Sequence, residues 1–342
     1  MQTFGIIGGG AWGTALAQTL RRAGRGVVLW AREPEVVDAV NKRRENEFFL
    51  PSIKLDSGLR ATSDLGKAVA GADAVLLAAP AQHLRALVKE LAKQLEKGTP
   101  LVLCTKGIED KTGALMTEVV AASAPGVKLA VLSGPTFARE VALGLPTAVT
   151  LAATDSRLGA KLAEALGTPT FRPYLSSDPV GAQIGGAVKN VLAIACGVIM
   201  GKKMGDNARA SVITRGLAEM VRLAVAKGGK AETLMGLSGL GDLTLTCTGV
   251  QSRNLSLGIA LGEGQRLDAI LGSRRSIAEG VTSSAACVAL AAKLKVEMPI
   301  SAAVDAILHK GAPIDGAIAA LLARPFKAEA PQGKPVPPAK LA

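Results

Sequence analysis

Aromatic residues are scarce in this chain, which has six Phe, two Trp and one Tyr among 342 residues. The formal charge of +12 would suit nucleic acid, an anionic membrane face or anionic small ligands. Basic residues are nevertheless spread along the sequence, and the one dense run, residues 42–44, is partly offset by Glu45 and Glu47. Aromatic residues do not alternate with them, and none of the usual nucleic-acid-binding modules can be recognised. The sequence therefore predicts small anionic ligands and no nucleic-acid partner.

Cysteine and histidine are also few, since the chain has two histidines and four cysteines: Cys104, Cys196, Cys247 and Cys287. The cysteines lie far apart and form no C-x-x-C pair. This spacing argues against a disulfide framework and against a metal site built from thiolate or imidazole ligands. We expect four small buried thiols and no metal ion.

Long apolar runs are missing as well. The longest, residues 191–200, has about half of the ~20 residues that a membrane span needs, so it predicts a buried helix. The first five residues, MQTFG, show neither the basic start nor the apolar stretch of a signal peptide. We therefore expect a cytoplasmic protein with no membrane span.

Hydrophobic residues make up 49% of the chain, and its length suits two domains. In the first half, short apolar runs alternate with helical segments, which is typical of an α/β fold with a doubly wound parallel sheet. The predicted strands are 4–7, 27–30, 72–79, 101–105, 129–132 and 148–152, and the predicted helices between them include 11–23, 35–46 and 82–95.

From Asp178 onward nearly every segment is long and rich in Ala and Leu, which predicts an all-α domain over residues 179–326. Asp178 suits a helix N-cap, and Pro179 suits the first helical position. A disordered tail is predicted over residues 327–342 from their proline-rich, polar composition. The predicted helices are 178–201, 207–227, 252–261, 282–294, 300–309 and 313–323.

A G-x-G-x-x-G pattern, formed by Gly8, Gly10 and Gly13, follows the first strand and opens the first helix. In this setting Gly8 allows a tight turn, Gly10 leaves room for a pyrophosphate, and Gly13 lets helix and strand pack closely. The helix N-terminus would offer free N–H groups to the phosphates, and Trp12 would flank the cofactor. We therefore predict that residues 1–178 form a Rossmann-type NAD(P)-binding domain.

The choice of cofactor depends on the end of the second strand, where NAD-dependent enzymes usually place an acidic residue. Arg32 lies there and can pair with a 2′-phosphate, so NADP(H) is favoured. Glu33 is adjacent to it and keeps NAD(H) open.

Six motifs occur in the same order as in one known family, and the resemblance runs from about residue 4 to 325. They are GGGAWG (8–13), KGIE (106–109), SGPTFA (133–138), GGAVKN (185–190), GLGDL (239–243) and SRN (252–254). Together they resemble the bacterial NAD(P)-dependent glycerol-3-phosphate dehydrogenases. The resemblance implies a Rossmann domain followed by a helical domain. It also implies the reversible reduction of dihydroxyacetone phosphate to sn-glycerol 3-phosphate, which supplies phospholipid synthesis.

The resemblance also implies roles for individual residues, with Lys189 as the catalytic acid and base. The cofactor contacts that the resemblance implies are Ala11, Trp12, Arg32, Lys106, Ala138, Arg253, Ile277 and Glu279. The substrate contacts that it implies are Lys106, Gly134, Thr136, Lys189, Asp242, Ser252, Arg253 and Asn254. Two positions depart from the family: Gln183 stands where Glu is common, which puts a carboxylate role there in doubt, and Ala11 stands where many members have Ser.

These residue types suit the implied chemistry. A lysine can donate and accept a proton when burial or a nearby cation lowers its pKa, and Lys189 lies in an apolar stretch. Lys106 would polarise the carbonyl oxygen, and Asp242 would hold the ammonium. Arg253, with the neighbouring hydroxyl and amide, would bind the substrate phosphate.

Two other functions stay open at this point. A dehydrogenase of the same architecture could act on a β-hydroxyacid or a ketoacid, and would then not need a phosphate site. A non-catalytic NAD(P)-binding sensor would bind cofactor and turn nothing over. For any of these we expect a homodimer.

Overall fold

The computed structural model of the chain describes residues 1–272 and 278–325. Its first half is built on one eight-stranded sheet of order β3-β2-β1-β4-β5-β6-β7-β8. The strands are β1 (Thr3–Ile7), β2 (Gly26–Trp30), β3 (Arg60–Thr62), β4 (Ala74–Leu77), β5 (Leu101–Leu103), β6 (Leu129–Ser133), β7 (Thr147–Ala152) and β8 (Phe171–Ser176).

Helices cover both faces of this sheet. Side chains of one strand alternate between two cores, because successive residues of a strand point to opposite faces. In β4, Leu76 joins one core, whereas Val75 and Leu77 join the other. The helices are α1 (Ala11–Arg22), α2 (Pro34–Asp38), α3 (Leu65–Val69), α4 (Leu84–Ala92), α5 (Met116–Ser123), α6 (Ala138–Leu143) and α7 (Ser156–Leu166). The predicted doubly wound α/β fold is confirmed.

The predicted parallel sheet has one antiparallel pair, because β7 runs antiparallel to β6. The helix between them, α6, has six residues and is about 9 Å long. That is too short to return along a strand of ~17–20 Å and start a parallel neighbour. Strands β7 and β8 are parallel to each other and run opposite to the other six.

Two strands were not predicted, and both are edges of the sheet. β3 has three residues, and β8 contains Pro173, which has no N–H to donate to a neighbouring strand. The predicted helix 35–46 is also wrong in its extent. It breaks after α2 into a π-helix, Ala39–Arg43, which ends at Arg44 with a left-handed φ of 59°.

The second half is helical, and beyond Ser176 the described residues contain no strand. All six predicted helices are present, with ends shifted by up to three residues. The shorter helices Ala231–Leu234, Asp242–Thr248 and Leu267–Gly272 and the π-helix Leu237–Gly241 were not predicted. The helices are α8 (Pro179–Gly201), α9 (Asp206–Ala226), α10 (Ala231–Leu234), α11 (Asp242–Thr248), α12 (Arg253–Gly262), α13 (Leu267–Gly272), α14 (Glu279–Lys293), α15 (Pro299–His309) and α16 (Ile314–Leu322). The predicted tail lies outside the described residues, and the division into domains at residue 178 remains a prediction.

Helix α8 is the centre of the helical half. Asp178 caps it as predicted, accepting from Gly181 N at 2.8 Å, and Pro179 occupies the first turn. The helix is long and apolar enough to cross a membrane, but 83% of its most apolar window is buried inside the protein. It is packed by α9, α11, α12, α14 and α15, so it is the core helix of this half.

Candidate active site

The candidate site lies where the sheet meets α8 and α11. Lys106 follows β5, and Gly134 and Thr136 follow β6, so all three come from carboxyl ends of parallel strands, where α/β folds bind ligands. Lys189 lies within α8, and Asp242 is the first residue of α11. The structure brings these five predicted residues into one hydrogen-bonded group, although they span 136 positions of sequence.

Asp242 is the centre of this group. Its carboxylate has no exposed surface and holds a lysine on each oxygen. Oδ2 accepts from Lys106 Nζ at 2.8 Å, and Oδ1 accepts from Lys189 Nζ. The two ammonium groups are also largely buried, with 13% of the Lys106 side chain and 8% of the Lys189 side chain exposed. One carboxylate therefore fixes two cations side by side.

Neighbouring acceptors complete the coordination of the two lysines. Lys106 Nζ also donates to Gly134 O at 2.9 Å and to Thr136 Oγ1 at 3.3 Å. Lys189 Nζ also donates to Thr246 Oγ1 at 2.9 Å. Thr246 was not predicted from the sequence. The signal was its position four residues after Asp242 on one helix, which places both side chains on the same face.

Burial lowers the pKa of Lys189 to about 8. Asp242 opposes this shift by stabilising the ammonium, whereas the positive charge of Lys106 adds to it. A lysine with this pKa exchanges its proton near neutral pH, as an acid–base catalyst must.

Two small residues allow the lysines to approach each other. A Cβ on Gly185 would overlap the carbonyl oxygen of Ser238, so this glycine lets α8 pack on the π-helix before Asp242. A Cβ on Gly186 would lie 3.3 Å from Lys106 Cγ. The GGAVKN motif therefore uses its glycines to bring α8 against the residues that hold Lys189.

The predicted phosphate-binding residues lie at the start of α12. Ser252 caps this helix by accepting from Leu255 N at 3.2 Å. Arg253 is exposed, whereas Asn254 is buried and donates to Asn190 Oδ1 at 2.9 Å. Because Asn190 directly follows Lys189 on α8, this bond connects the start of α12 to the catalytic segment.

Glu279, at the start of α14, faces the same group of cations. Burial raises the pKa of its carboxyl, and Arg253, Lys106 and Lys189 each oppose that shift. Its partner in the predicted cofactor set, Ile277, lies outside the described residues.

The glycine turn has the shape that a dinucleotide requires. Gly8 has a φ of 131°, which side-chain-bearing residues rarely adopt, and a Cβ on Gly13 would overlap Gly8 O. A Cβ on Gly10 would meet no atom within 4 Å. Gly10 is also the N-cap of α1, and it has no side chain that could cover the N–H groups at the start of the helix. The turn is thus packed at Gly8 and Gly13 and open at Gly10, which fits a pyrophosphate at the N-terminus of α1.

The other predicted cofactor residues lie around this turn. Trp12 donates to Cys104 O at 3.2 Å, Ala11 is the first residue of α1, and Ala138 is the first residue of α6. Arg32 is exposed at the end of β2 and pairs with Glu33 at 3.0 Å. The Trp12 bond connects the glycine turn to the segment that carries Lys106, the residue that belongs to both predicted sets.

Gln183 lies apart from this chemistry. Its amide donates to Thr117 Oγ1 at 3.0 Å and to Pro179 O at 2.8 Å, and its oxygen accepts from Thr117 N at 2.9 Å. The side chain joins α8 to α5, and a glutamate could not donate to Pro179 O unless it were protonated. The Gln at this position thus connects the two halves of the chain.

Comparison with known proteins assigns the family. The model of the NAD-dependent glycerol-3-phosphate dehydrogenase N-terminus matches residues 3–159, and that of the C-terminus matches residues 178–319. A glycerol-3-phosphate dehydrogenase [NAD(P)+] of Rhodospirillum rubrum is 60% identical over 95% of this chain and 93% of its own length. One of Parvibaculum lavamentivorans is 58% identical over 95% and 97%.

A solved structure supports the same assignment. The crystal structure of glycerol-3-phosphate dehydrogenase from Coxiella burnetii superposes with a TM-score of 0.91 at 41% identity, and the match covers 94% of this chain and 99% of that one. Both halves of the chain, their order and their fold thus agree with one family. This chain belongs to the NAD-dependent glycerol-3-phosphate dehydrogenases.

Proposed function

We propose that this enzyme reduces dihydroxyacetone phosphate reversibly to sn-glycerol 3-phosphate with NAD(P)H and supplies glycerol 3-phosphate for phospholipid synthesis. The observation that carries the mechanism is the pair of buried lysines held on the two oxygens of Asp242. The family assignment supports the substrate. It favours the phosphorylated substrate over the β-hydroxyacid alternative, and an enzyme over a sensor.

The glycine turn would hold the cofactor. Gly8, Gly10 and Gly13 shape the turn, and the N-terminal N–H groups of α1, from Ala11 and Trp12, face its open side. When bound, NAD(P)H supplies the hydride. The chain itself must supply orientation, charge and the proton.

Lys189 would supply the proton. Among the described residues its ammonium donates to Asp242 and Thr246, which accounts for two of its three hydrogens. The third hydrogen can pass to the carbonyl oxygen of the ketone as negative charge develops on that oxygen. In the reverse direction the neutral amine takes the proton from the hydroxyl group.

Lys106 would stabilise the developing charge on the same oxygen. Its three hydrogens are already donated to Asp242, Gly134 O and Thr136, and the contact with Thr136 is the longest at 3.3 Å. A substrate oxygen would therefore replace the Thr136 hydroxyl most easily. Asp242 keeps both ammonium groups in place during the exchange.

The substrate phosphate would bind at the start of α12. Arg253 provides a guanidinium fork, and Ser252 and Asn254 provide a hydroxyl and an amide beside it. The cofactor would then approach from the sheet and the phosphate would be held from the helical half.

The dependence on pH tests the assignment of Lys189. Since reduction needs the ammonium, we expect kcat/KM for dihydroxyacetone phosphate to fall as pH rises through about 8. Since oxidation needs the neutral amine, kcat/KM for glycerol 3-phosphate should rise over the same interval. Initial rates between pH 6 and pH 10 in both directions, with saturating cofactor, measure this. Two profiles of the same sign would contradict the assignment.

NADP(H) is the proposed preferred cofactor, with NAD(H) also accepted, because Arg32 is exposed at the end of β2. We expect Arg32→Ala to raise the Kd of NADPH about 10-fold, through the loss of a charge-assisted bond to the 2′-phosphate, and to leave the Kd of NADH nearly unchanged. Fluorescence titration measures both constants. Arg172→Ala, at the opposite edge of the sheet, is the control. Equal weakening of the two cofactors would remove Arg32 from 2′-phosphate binding.

The proposal also includes a homodimer in the cytoplasm. In support of a partner surface, Tyr174 and Leu175 on edge strand β8 are more than half exposed, at 54% and 58%. Sedimentation equilibrium decides between one and two chains. The proposed location rests on the family assignment, and the one helix long and apolar enough to cross a membrane among the described residues, α8, is mostly buried inside the protein.

A further inference from the structure

Asn46 is a polar residue with no exposed surface, in the connection between the π-helix Ala39–Arg43 and β3. Its Nδ2 donates to Gly9 O at 2.8 Å and to Thr14 Oγ1 at 2.7 Å. Its Oδ1 accepts from Phe49 N at 3.3 Å. Both amide hydrogens are thus used, and both go to the segment that begins α1.

That segment is the glycine turn. Gly9 lies at its middle, and Thr14 lies in the first turn of α1. The backbone bond from Gly8 N to Trp30 O, 3.1 Å long, holds the beginning of the turn, and the Asn46 amide holds its middle and ties it to the helix. A Cβ on Gly9 would overlap Ala31 Cβ, so the turn is packed against the protein at Gly9. It is open at the next residue, Gly10.

We propose that Asn46 is a positioning residue for the cofactor: it fixes the glycine turn in the shape that accepts the pyrophosphate and so sets the affinity for NADP(H) and NAD(H) alike. Since its side chain has no exposed surface, it acts through Gly9 and Thr14 and does not touch the ligand. A turn that is already ordered loses less entropy when it binds a ligand. This inference rests on the proposed cofactor site.

The chemistry of the position requires an amide. A carbonyl oxygen lies 2.8 Å from Nδ2, so an aspartate there would place two acceptors against each other and bury a charge without a partner. A leucine would fill the space but leave Gly9 O with only the longer contact of 3.5 Å from Thr14 Oγ1. The hydrogens of a neutral amide satisfy both acceptors.

Direct titration of the full chain tests the inference, with NADPH, NADH and ADP-ribose as three ligands that share the pyrophosphate. For Asn46→Ala we expect the Kd of all three to rise by the same factor, about fivefold to tenfold. At saturating cofactor, kcat should stay within about twofold of the wild type, because the lysine group is unchanged.

Asn41→Ala is the matched control. Asn41 lies five residues earlier and makes two side-chain bonds, with Ala61 O and Ala61 N, both 2.9 Å long, whereas Asn46 makes three. Both variants should lower the melting temperature of the cofactor-free protein, but the Kd should rise only for Asn46→Ala. A Kd for Asn46→Ala that matches the control would overturn the inference. So would unequal factors for NADPH and NADH, because they would implicate the adenosine end and not the shared pyrophosphate.

Two further variants keep the outcome clear. Gly10→Val places a side chain in the open part of the turn; if it binds cofactor like the wild type, the proposed cofactor site itself is wrong. If Gly10→Val weakens binding and Asn46→Ala does not, then Asn46 alone is excluded. Should Asn46→Ala fail to fold, Thr14→Val keeps the shape of the side chain but removes one acceptor of the amide, together with the 3.5 Å contact of Thr14 Oγ1 with Gly9 O. It should raise the three constants about threefold. An unchanged Kd in that variant would contradict the role.

Discussion

Lys189→Ala is expected to lower kcat for dihydroxyacetone phosphate reduction by about 100-fold or more, the range of general acid–base catalysis. Alanine removes the hydrogen that would pass to the substrate oxygen, and Asp242, as a carboxylate, has none to give. Binding of NADPH should stay nearly intact, because the glycine turn is formed by other residues. Steady-state kinetics with saturating cofactor and a fluorescence titration measure the two effects.

The fold should survive this change. In Lys189→Ala the buried Asp242 carboxylate keeps its 2.8 Å ion pair with Lys106, so no buried charge is left alone. Lys202→Ala is the control: this lysine is the C-cap of α8 and pairs with Asp315. If Lys189→Ala turns over at a rate close to that of the control, Lys189 is not the proton donor and Lys106 becomes the candidate.

Arg253→Ala is expected to raise the KM for dihydroxyacetone phosphate at least ~10-fold. A charge-assisted bond to a phosphate contributes roughly 1.5–3 kcal/mol, and each ~1.4 kcal/mol is one decade in affinity. Arg253 also faces the buried carboxyl of Glu279, so the melting temperature is measured in the same variant. Activity on unphosphorylated dihydroxyacetone should hardly change once cofactor is saturating.

The cofactor must be measured in the same variant, because the resemblance implies that Arg253 also contacts it. A rise in KM for the ketone at saturating NADPH isolates the effect on the substrate. Arg266→Ala, an exposed arginine of the same half paired with Asp268 at 2.8 Å, is the control. An unchanged KM in Arg253→Ala would show that the phosphate is bound elsewhere.

The fold was predictable where burial leaves a strong pattern. Strands β1, β4 and β6 are covered on both faces, so their sequences are continuous apolar runs. The edge strands β3 and β8 have exposed positions and a proline, and their sequences resemble loops. The antiparallel direction of β7 depends on the short length of α6 and on the edge of the sheet from which the chain enters that helix. Neither is visible in the periodicity of the local sequence.

The site was predictable to the extent that its residues lie in motifs. Lys106, Lys189 and Asp242 were found through the resemblance, and the structure adds that one carboxylate holds both lysines. Thr246 and Asn46 were missed because threonine and asparagine are common in loops and caps. Thr246 is important because it contacts Lys189, and Asn46 because it contacts Gly9 and Thr14. All of these partners are distant in sequence. Sequence alone shows the spacing of four residues between Asp242 and Thr246, and it does not show the contacts of Thr246 and Asn46 with distant segments.

The most direct test of the account is the ratio of kcat/KM for dihydroxyacetone phosphate to that for unphosphorylated dihydroxyacetone in the wild-type enzyme, with NADPH and NADH each saturating. Loss of the phosphate removes the charge-assisted contacts proposed at Ser252, Arg253 and Asn254. The account predicts that the phosphorylated ketone is preferred at least ~10-fold. Equal use of the two ketones would contradict phosphate recognition and favour a dehydrogenase that acts on a β-hydroxyacid.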